Sequence, residues 1–267
     1  MNGAEPDECY LGNFGSNLAL VIDSYEQLKK GMHGMLDAFQ LLAGAGLIRI
    51  LAGHRVTSVS SDPVIGSIKI NFMKGGVSDA AVYDKVISAL PAVRLSVLLD
   101  DVLPDASELL RQVRYYPVAV AIVKYRHDVF QQTQRAMVFD HSFPLSNAGA
   151  YGINDLNLVR YTFSGRASRS VISESSVPEE VIALGERIAG SYFTISDNTR
   201  ESFAYRYITE GLCAYSPAHH NLLLEIDKKL EPFAGFGATG DYRRGASIEA
   251  CFRAAGECVD KLLGSGH

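Results

Sequence analysis

Polar and apolar residues alternate with a period of two through much of the first half of the chain. Arg55 to Ser60, Ser67 to Phe72 and Val77 to Tyr83 read as strands, with Gly75-Gly76 as a hairpin turn. Leu47 to Leu51 reads as a further strand, and DKVISAL, Asp84 to Leu90, as another that stops at Pro91. Upstream the period is helical: Ser24 and Gln27 form a capping pattern before Leu28, Met32, Met35, Leu36, Phe39, Leu42 and Ala43, and Gly44 and Gly46 end the run. Ala106 to Val113 is predicted as a short helix entered after Pro104. Arg114 to Arg126 is a long β-rich run in which Pro117 marks an edge or a bulge, and Arg135 to Asp140 and Leu158 to Ser164 continue the strand pattern. The stretch PLSNAGAYGINDL between them has loop composition, with Tyr151 as its one large side chain. Pro178 to Ile188 and His219 to Leu230 read as helices, the second turning Leu222, Leu223, Ile226 and Leu230 inward.

Near the C-terminus, Phe233 to Thr239 is a glycine-broken apolar run suited to a buried strand, and Gly240-Asp241 ends it in a turn. A helix follows. Ser247 is its N-cap and Glu249 sits in its first turn; Ile248, Cys251, Phe252, Ala255, Val259, Leu262 and Leu263 are predicted to form its buried face. Between strand and helix lie an acid, two arginines and glycines, so helix-start N–H groups would face an electron-rich ligand.

Composition narrows the function. The chain has 267 residues, 47% apolar and 21% charged, with a net charge of −5, which fits a globular protein and gives no basic footprint for nucleic acid. Apolar runs such as Val118 to Val123 are far below membrane-spanning length, and the start MNGAEPDECY is unlike a secretory leader, so the expected setting is cytoplasmic. The four cysteines, Cys9, Cys213, Cys251 and Cys258, show neither CxxC nor metal spacing and are expected to be reduced. HExxH, P-loop, GxSxG and EF-hand patterns are missing, and the adjacent His219 and His220 are expected to be surface or capping groups. No metal site is expected.

The segment GD followed by RRGASIEACFRAAG resembles the C-terminal FAD-binding signature of the flavin-containing amine oxidase, protoporphyrinogen oxidase and phytoene desaturase superfamily. The resemblance implies that Asp241, after Gly240, bonds the ribityl or pyrophosphate part of FAD. It also implies that Ala246, Ser247 and Ile248 point at the pyrimidine edge of the flavin, where a positive helix end stabilises charge on reduction. Gly34-Met35, Val56 with Val59, and Val86 to Ala92 match further family segments in order, which makes Val56 the candidate backbone contact to adenine. Ala214-Tyr215-Ser216-Pro217 resembles the family's passage beside the flavin with proline and tyrosine reversed, and the chain has no tryptophan, which puts an aromatic cage in doubt. Tyr116, Tyr151 and Tyr215 are the candidate substrate-pocket residues; no catalytic residue is assigned.

The family's N-terminal half, a βαβ unit whose GxGxxG holds the pyrophosphate, has no counterpart here. Gly235-Phe236-Gly237-Ala238-Thr239-Gly240 matches formally, but its glycines are read as serving close packing and the turn before Asp241. The expected architecture is therefore α+β with α/β character, an antiparallel substrate-domain sheet with helices plus a partial FAD-binding domain completed by another subunit. Its expected divisions are 1–92 (partial FAD-binding region with an antiparallel insert), 93–215 (substrate domain), 216–263 (return to the FAD-binding domain) and 264–267 (a tag remnant). The expected function is a subunit of a split FAD-dependent oxidoreductase acting on a small metabolite, its partner carrying GxGxxG. The alternatives are a non-catalytic binding or scaffold protein descended from a flavoenzyme, or a flavin-dependent isomerase or cyclase with no net redox change.

Overall fold

The structure is a computed structural model that describes Leu28, Gly31 and residues 33–264, apart from 62–65, 131–133, 153–154 and 196–198. Ser24, Gln27, Met32 and Cys9 lie outside the described residues. The chain divides into two compact units, one formed by Tyr115–Ser216 and one by Leu28–Arg114 with the chain from Pro217 onward. Among the described residues no helix is long and apolar enough to cross a membrane.

The Tyr115–Ser216 unit is an antiparallel sheet of five strands backed by helices. β5 (Tyr115–Tyr125) pairs with β8 (Leu158–Phe163) on one side and β9 (Arg200–Cys213) on the other; β7 (Asn147–Ala150) and then β6 (Ala136–Val138) continue beyond β8. Burial alternates along β5, as one face of a sheet demands. Ala119, Ala121, Val123 and Tyr125 join Val159, Tyr161 and Phe163 of β8 in the core, with Val181 and Ile182 among their neighbours. Val181 and Ile182 belong to α5 (Pro178–Ala189), which follows α4 (Arg166–Val171). A Cβ at Gly185 of α5 would lie 2.9 Å from the Phe163 ring, so a glycine is what lets this helix sit on the sheet.

Pro117 precedes the part of β5 that pairs with β8, which begins at Ala119, and falls at a register shift between Tyr116 and Val118 against β9, so the strand is locally open on one side and irregular on the other there. Gly211 lies within that irregular stretch, where any Cβ would fall 2.3 Å from Val118 Cγ1. β7 occupies part of what the sequence suggested was loop: NAGA has no β-branched or aromatic residue, yet it is held between β6 and β8.

The second unit holds an antiparallel meander of β1 (His54–Ser61), β2 (Ile68–Lys74) and β3 (Val77–Tyr83), whose β2–β3 turn uses positive φ at Gly75 (56°) and Gly76 (85°). Leu47 to Leu51 is not a strand, and Asp84 to Leu90 contributes only β4 (Val86–Ser88). Pro91 does stop β4, but it also opens a helix the pattern did not indicate, α2 (Ala92–Leu99), followed by α3 (Pro104–Arg111). Ser107 Oγ of α3 donates to Ser96 O at 2.8 Å and joins the two helices. α1 (His33–Gly44) buries none of its residues; Leu36 and Leu41 are 57% and 77% exposed.

Candidate functional site

The Gly240–Ile248 segment is built outward from a two-stranded parallel pair. β10 (Phe236–Ala238) aligns with β4 in the register Phe236 with Val86 and Ala238 with Ser88, and Thr239 N extends the ladder by donating to Ser88 O at 2.8 Å. The glycines here serve packing and turns, as the sequence suggested. Gly235 has φ +79° with Asp84 O only 2.7 Å from where a Cβ would stand, and a Cβ on Gly237 would meet Cys258 Sγ at 2.5 Å. Gly240, at φ +145°, turns the chain out of the strand with Tyr242 Cε1 and Leu90 O at 3.1 and 3.3 Å from a notional Cβ. Asp241 then begins a single helical turn, α7 (Asp241–Arg244), and Ser247 caps α8 (Ile248–Leu263) by accepting from Ala250 N at 3.1 Å.

Three anchors hold α7. Nε2 of the buried His219, which begins α6 (His219–Leu230), donates to Tyr242 O at 2.7 Å; a carbonyl only accepts, so Nε2 carries the proton. Arg243 pairs with Asp227 of α6 at 2.7 Å, and Arg244 with Glu257 of α8 at 2.6 Å. The Tyr242 ring is fully buried. The turn is thus tied to the helices before and after it, and the remaining groups are placed by the backbone between those ties.

His219 is a correction to the expectation of a surface or capping histidine: it is 4% exposed, whereas His220 is exposed. Burial, with Arg243 and His220 nearby, holds the His219 imidazole below its ordinary range, against the opposing effect of the bond to Tyr242 O. The unfolded chain therefore takes up a proton near pH 6.5 that the folded chain resists, so this contribution to stability is complete above that pH and is lost as pH falls through the depressed folded value. In urea titrations at pH 7.5 and 5.5, His219→Gln is expected to show a smaller acid loss of stability than the unsubstituted chain. Equal losses in the two would count against His219 as the source.

The C-terminal helix also departs from the pattern. Ala250 and Ala254 are its buried residues, while Ile248, Phe252 and Leu263 are 50%, 56% and 64% exposed. The small face packs, with Cys258 and Leu262, onto the glycine of β10, and the large apolar side chains point away from it. Cys251 and Cys258 are free thiols, and burial pushes both up from the ordinary thiol range.

Gly240, Asp241, Ala246, Ser247 and Ile248 thus form one continuous rim between β10 and α8. Val56 lies elsewhere in the same unit, on β1 beside the register shift between Val56 and Ser58, and is 38% exposed. The three tyrosines are not gathered. Tyr116, near the start of β5, and Tyr215, just beyond the end of β9, share one end of the five-stranded sheet; Tyr151 follows β7 at the other end, about 27 Å away at 3.4 Å per residue along β5. Tyr116 stacks under Arg169, whose guanidinium carbon is 4.0 Å from the ring centroid. Tyr215 is 3% exposed with φ of +29°, and Tyr151 is 53% exposed.

A flavin is tested against this rim by its own polar atoms. Thr239 Oγ1 is buried at the mouth of the turn with no partner among the described residues. The N–H groups of Ile248 and Glu249, in the first turn of α8, have no acceptor within the helix itself. Carboxylate, hydroxyl and helix-start donors along one segment suit the hydroxyls and the hydrogen-bond-accepting pyrimidine edge of a flavin. Thr239, His219, Asp227 and Glu257 were not singled out from sequence for this site; the only trace of them is position, flanking the turn or on the helices that pack beside it.

Fold and rim define an α+β chain in which a strand, a single helical turn and a capped helix follow one another over Phe236–Leu263. The chain belongs to the flavin-containing amine oxidoreductase family, whose model matches residues 1–263. Coproporphyrinogen III oxidases of Mycobacterium bovis and Mycobacterium tuberculosis are 25% identical over 189 residues, covering 67% of this chain and 40% of theirs. The match thus spans less than half the length of these curated relatives. Among solved structures, a protein described as a protoporphyrinogen oxidase from Exiguobacterium sp. 255-15 aligns with a TM-score of 0.70 at 14% identity, over 96% of this chain and 57% of that one. Reduced UDP-galactopyranose mutase aligns with a TM-score of 0.63 at 16% identity, over 80% and 47% of the two chains. The family is one of flavin-containing oxidoreductases, and its α+β fold is the one found here.

Proposed function

We propose that this chain supplies the flavin-ring and substrate portion of an FAD-dependent oxidoreductase acting on a small metabolite, and that a separate subunit bearing GxGxxG holds the pyrophosphate and adenosine ribose. The observation that carries the reading is the Gly240–Ile248 rim, preceded by the buried Thr239 Oγ1, which has no partner among the described residues. Asp241 accepts from the ribityl hydroxyls or stands beside the phosphates, Gly240 keeps the backbone close, and Ala246, Ser247 and Ile248 present the positive helix end to the pyrimidine edge. Val56 is assigned to the adenine through its backbone. FAD, when bound, supplies a two-electron acceptor for a hydride leaving a C–N or C–C site. The residues of this chain orient the ligand and shield it from water, and no acid or base among them is assigned to the reaction.

The partner is supported by apolar surface. α1 has no buried residue, and Ile248, Phe252, Val259 and Leu263 form an exposed stripe along α8. Expressed together with the reading frames that flank its own gene, the chain is expected to co-purify with a GxGxxG-bearing polypeptide and with flavin absorption. A colourless chain with no second polypeptide overturns the reading.

In that assembly, Asp241→Ala is expected to weaken flavin retention by about 1–3 kcal/mol, the effect of leaving a polar partner unpaired. Flavin affinity measured by fluorescence titration is the check, and unchanged affinity argues against the role of Asp241.

A further inference from the structure

The face of the five-stranded sheet opposite the helix-packed core carries a second arrangement. Val120 and Ile122 of β5 point to this side and are half-buried. Arg160 of β8 stands directly opposite Ile122, and Arg206 of β9 directly opposite Val120, so both guanidinium-bearing side chains rise from the same face on the two strands flanking the apolar strip. Two strand spacings across and two residues along place their Cα atoms roughly 12 Å apart.

Both arginines are exposed, and neither has a carboxylate partner among the described residues; Arg206 Nη1 makes only a 3.1 Å bond to Tyr205 O. That sets them apart from Arg111, Arg200, Arg243, Arg244 and Arg253, each of which is paired with an acid. In a chain with 30 acidic and 25 basic residues, acids were available for these two as well. Across the strands Arg160 faces Gly149 and Ile122, and Arg206 faces Val120. A guanidinium is a planar fork that binds carboxylate or phosphate oxygens two at a time, and the strip between the forks is apolar.

We infer that this face binds a small molecule with an apolar body and a carboxylate at each end, the body lying on Val120 and Ile122 and the ends meeting Arg160 and Arg206. The inference takes from the proposed function only that a small metabolite is handled by this unit, and its test needs no flavin and no partner.

The full-length chain is titrated calorimetrically with suberate, with octanoate of the same length but one carboxylate, and with inorganic phosphate. Suberate is expected to bind about tenfold or more tighter than octanoate, the effect of one further charge-assisted contact of modest strength. Arg160→Gln and Arg206→Gln, both at exposed positions and checked for unchanged melting, are each expected to reduce suberate to the octanoate level. Equal affinities for the two acids overturn the inference, as does suberate binding that survives both substitutions. Phosphate binding as tight as suberate also overturns it, because the apolar body would then contribute nothing. A chain that binds suberate as expected but never acquires flavin leaves the inference standing while the redox reading falls.

Discussion

Replacing Glu186 by alanine is expected to lower the unfolding free energy by about 3 kcal/mol, the low end of what removing one member of a buried ion pair costs. Glu186 is 7% exposed and lies at the centre of a closed polar network beneath the five-stranded sheet. It accepts from Arg200 Nε at 2.9 Å and Nη2 at 2.6 Å, and from Tyr125 OH at 2.7 Å. Tyr125 has one hydroxyl proton and gives it to the carboxylate, so in the 2.8 Å contact between the two phenols Tyr161 is the donor. Burial first, and then the neighbouring phenol and carboxylate, hold Tyr125 far above the usual phenol range. Alanine would leave one phenol hydroxyl of the Tyr125–Tyr161 pair short of an acceptor and take from the Arg200 guanidinium its carboxylate, while Arg200, 22% exposed at its side chain, regains some hydration, hence the low end. Glu186→Gln keeps an acceptor for Tyr125 and is expected to fall between the two. Urea midpoints of the three proteins are the measurement; a loss below about 1 kcal/mol for alanine would mean that Arg200 rehydrates freely and that the network is not what ties α5 to β5 and β9.

How far the sequence could be read depended on whether a local signal and a tertiary demand agreed. They agreed in α6, where the bounds match and Ile226 and Leu230 are buried with Leu222 and Leu223 half-buried, His219 being the exception, and at the Gly75-Gly76 hairpin, which needs positive φ at both positions. They disagreed in α8. Its period and its Ser247 cap were legible, but its buried face was not, because the helix packs against a glycine of β10 and close approach favours Ala250, Ala254 and Cys258 over the larger Ile248 and Phe252. A reading of the helix alone weights side chains by apolar area and so turns it the wrong way. β7 escaped notice for a related reason: its residues are small, and it is a strand because its neighbours are. At the candidate site the turn itself was legible, since Gly240-Asp241 closes an apolar run ahead of a helix capped by Ser247. Its supports were not. His219, Asp227 and Glu257 act through the backbone carbonyl of Tyr242 and the side chains of Arg243 and Arg244, and partners so far from the turn in sequence leave no spacing to recognise.

Titrated alone, the chain is expected to bind FAD about 10²- to 10⁴-fold more weakly than the assembly with its proposed partner. The estimate follows from how the affinity divides. In the proposed reading the Gly240–Ile248 rim meets the ring and ribityl end, while the doubly charged pyrophosphate calls for N–H groups at the start of a helix that follows a glycine-rich strand end. The one formal GxGxxG of these 267 residues, Gly235 to Gly240, is occupied in other ways: Gly235 and Gly240 take turn conformations, Gly237 is pressed against Cys258 and Leu262, and the helical turn that follows is four residues long. Two charge-assisted hydrogen bonds forgone, at about 1.5–3 kcal/mol each, account for that range. The apolar stripe on α8 and the exposed leucines of α1 add a second signature, since without a covering partner they favour self-association that depends on protein concentration. Calorimetric titration of the chain with FAD, run beside sedimentation at several concentrations, tests both. Submicromolar one-to-one binding by a monomer would show that the pyrophosphate finds its seat within this chain, and the second subunit would then have no role in holding the cofactor.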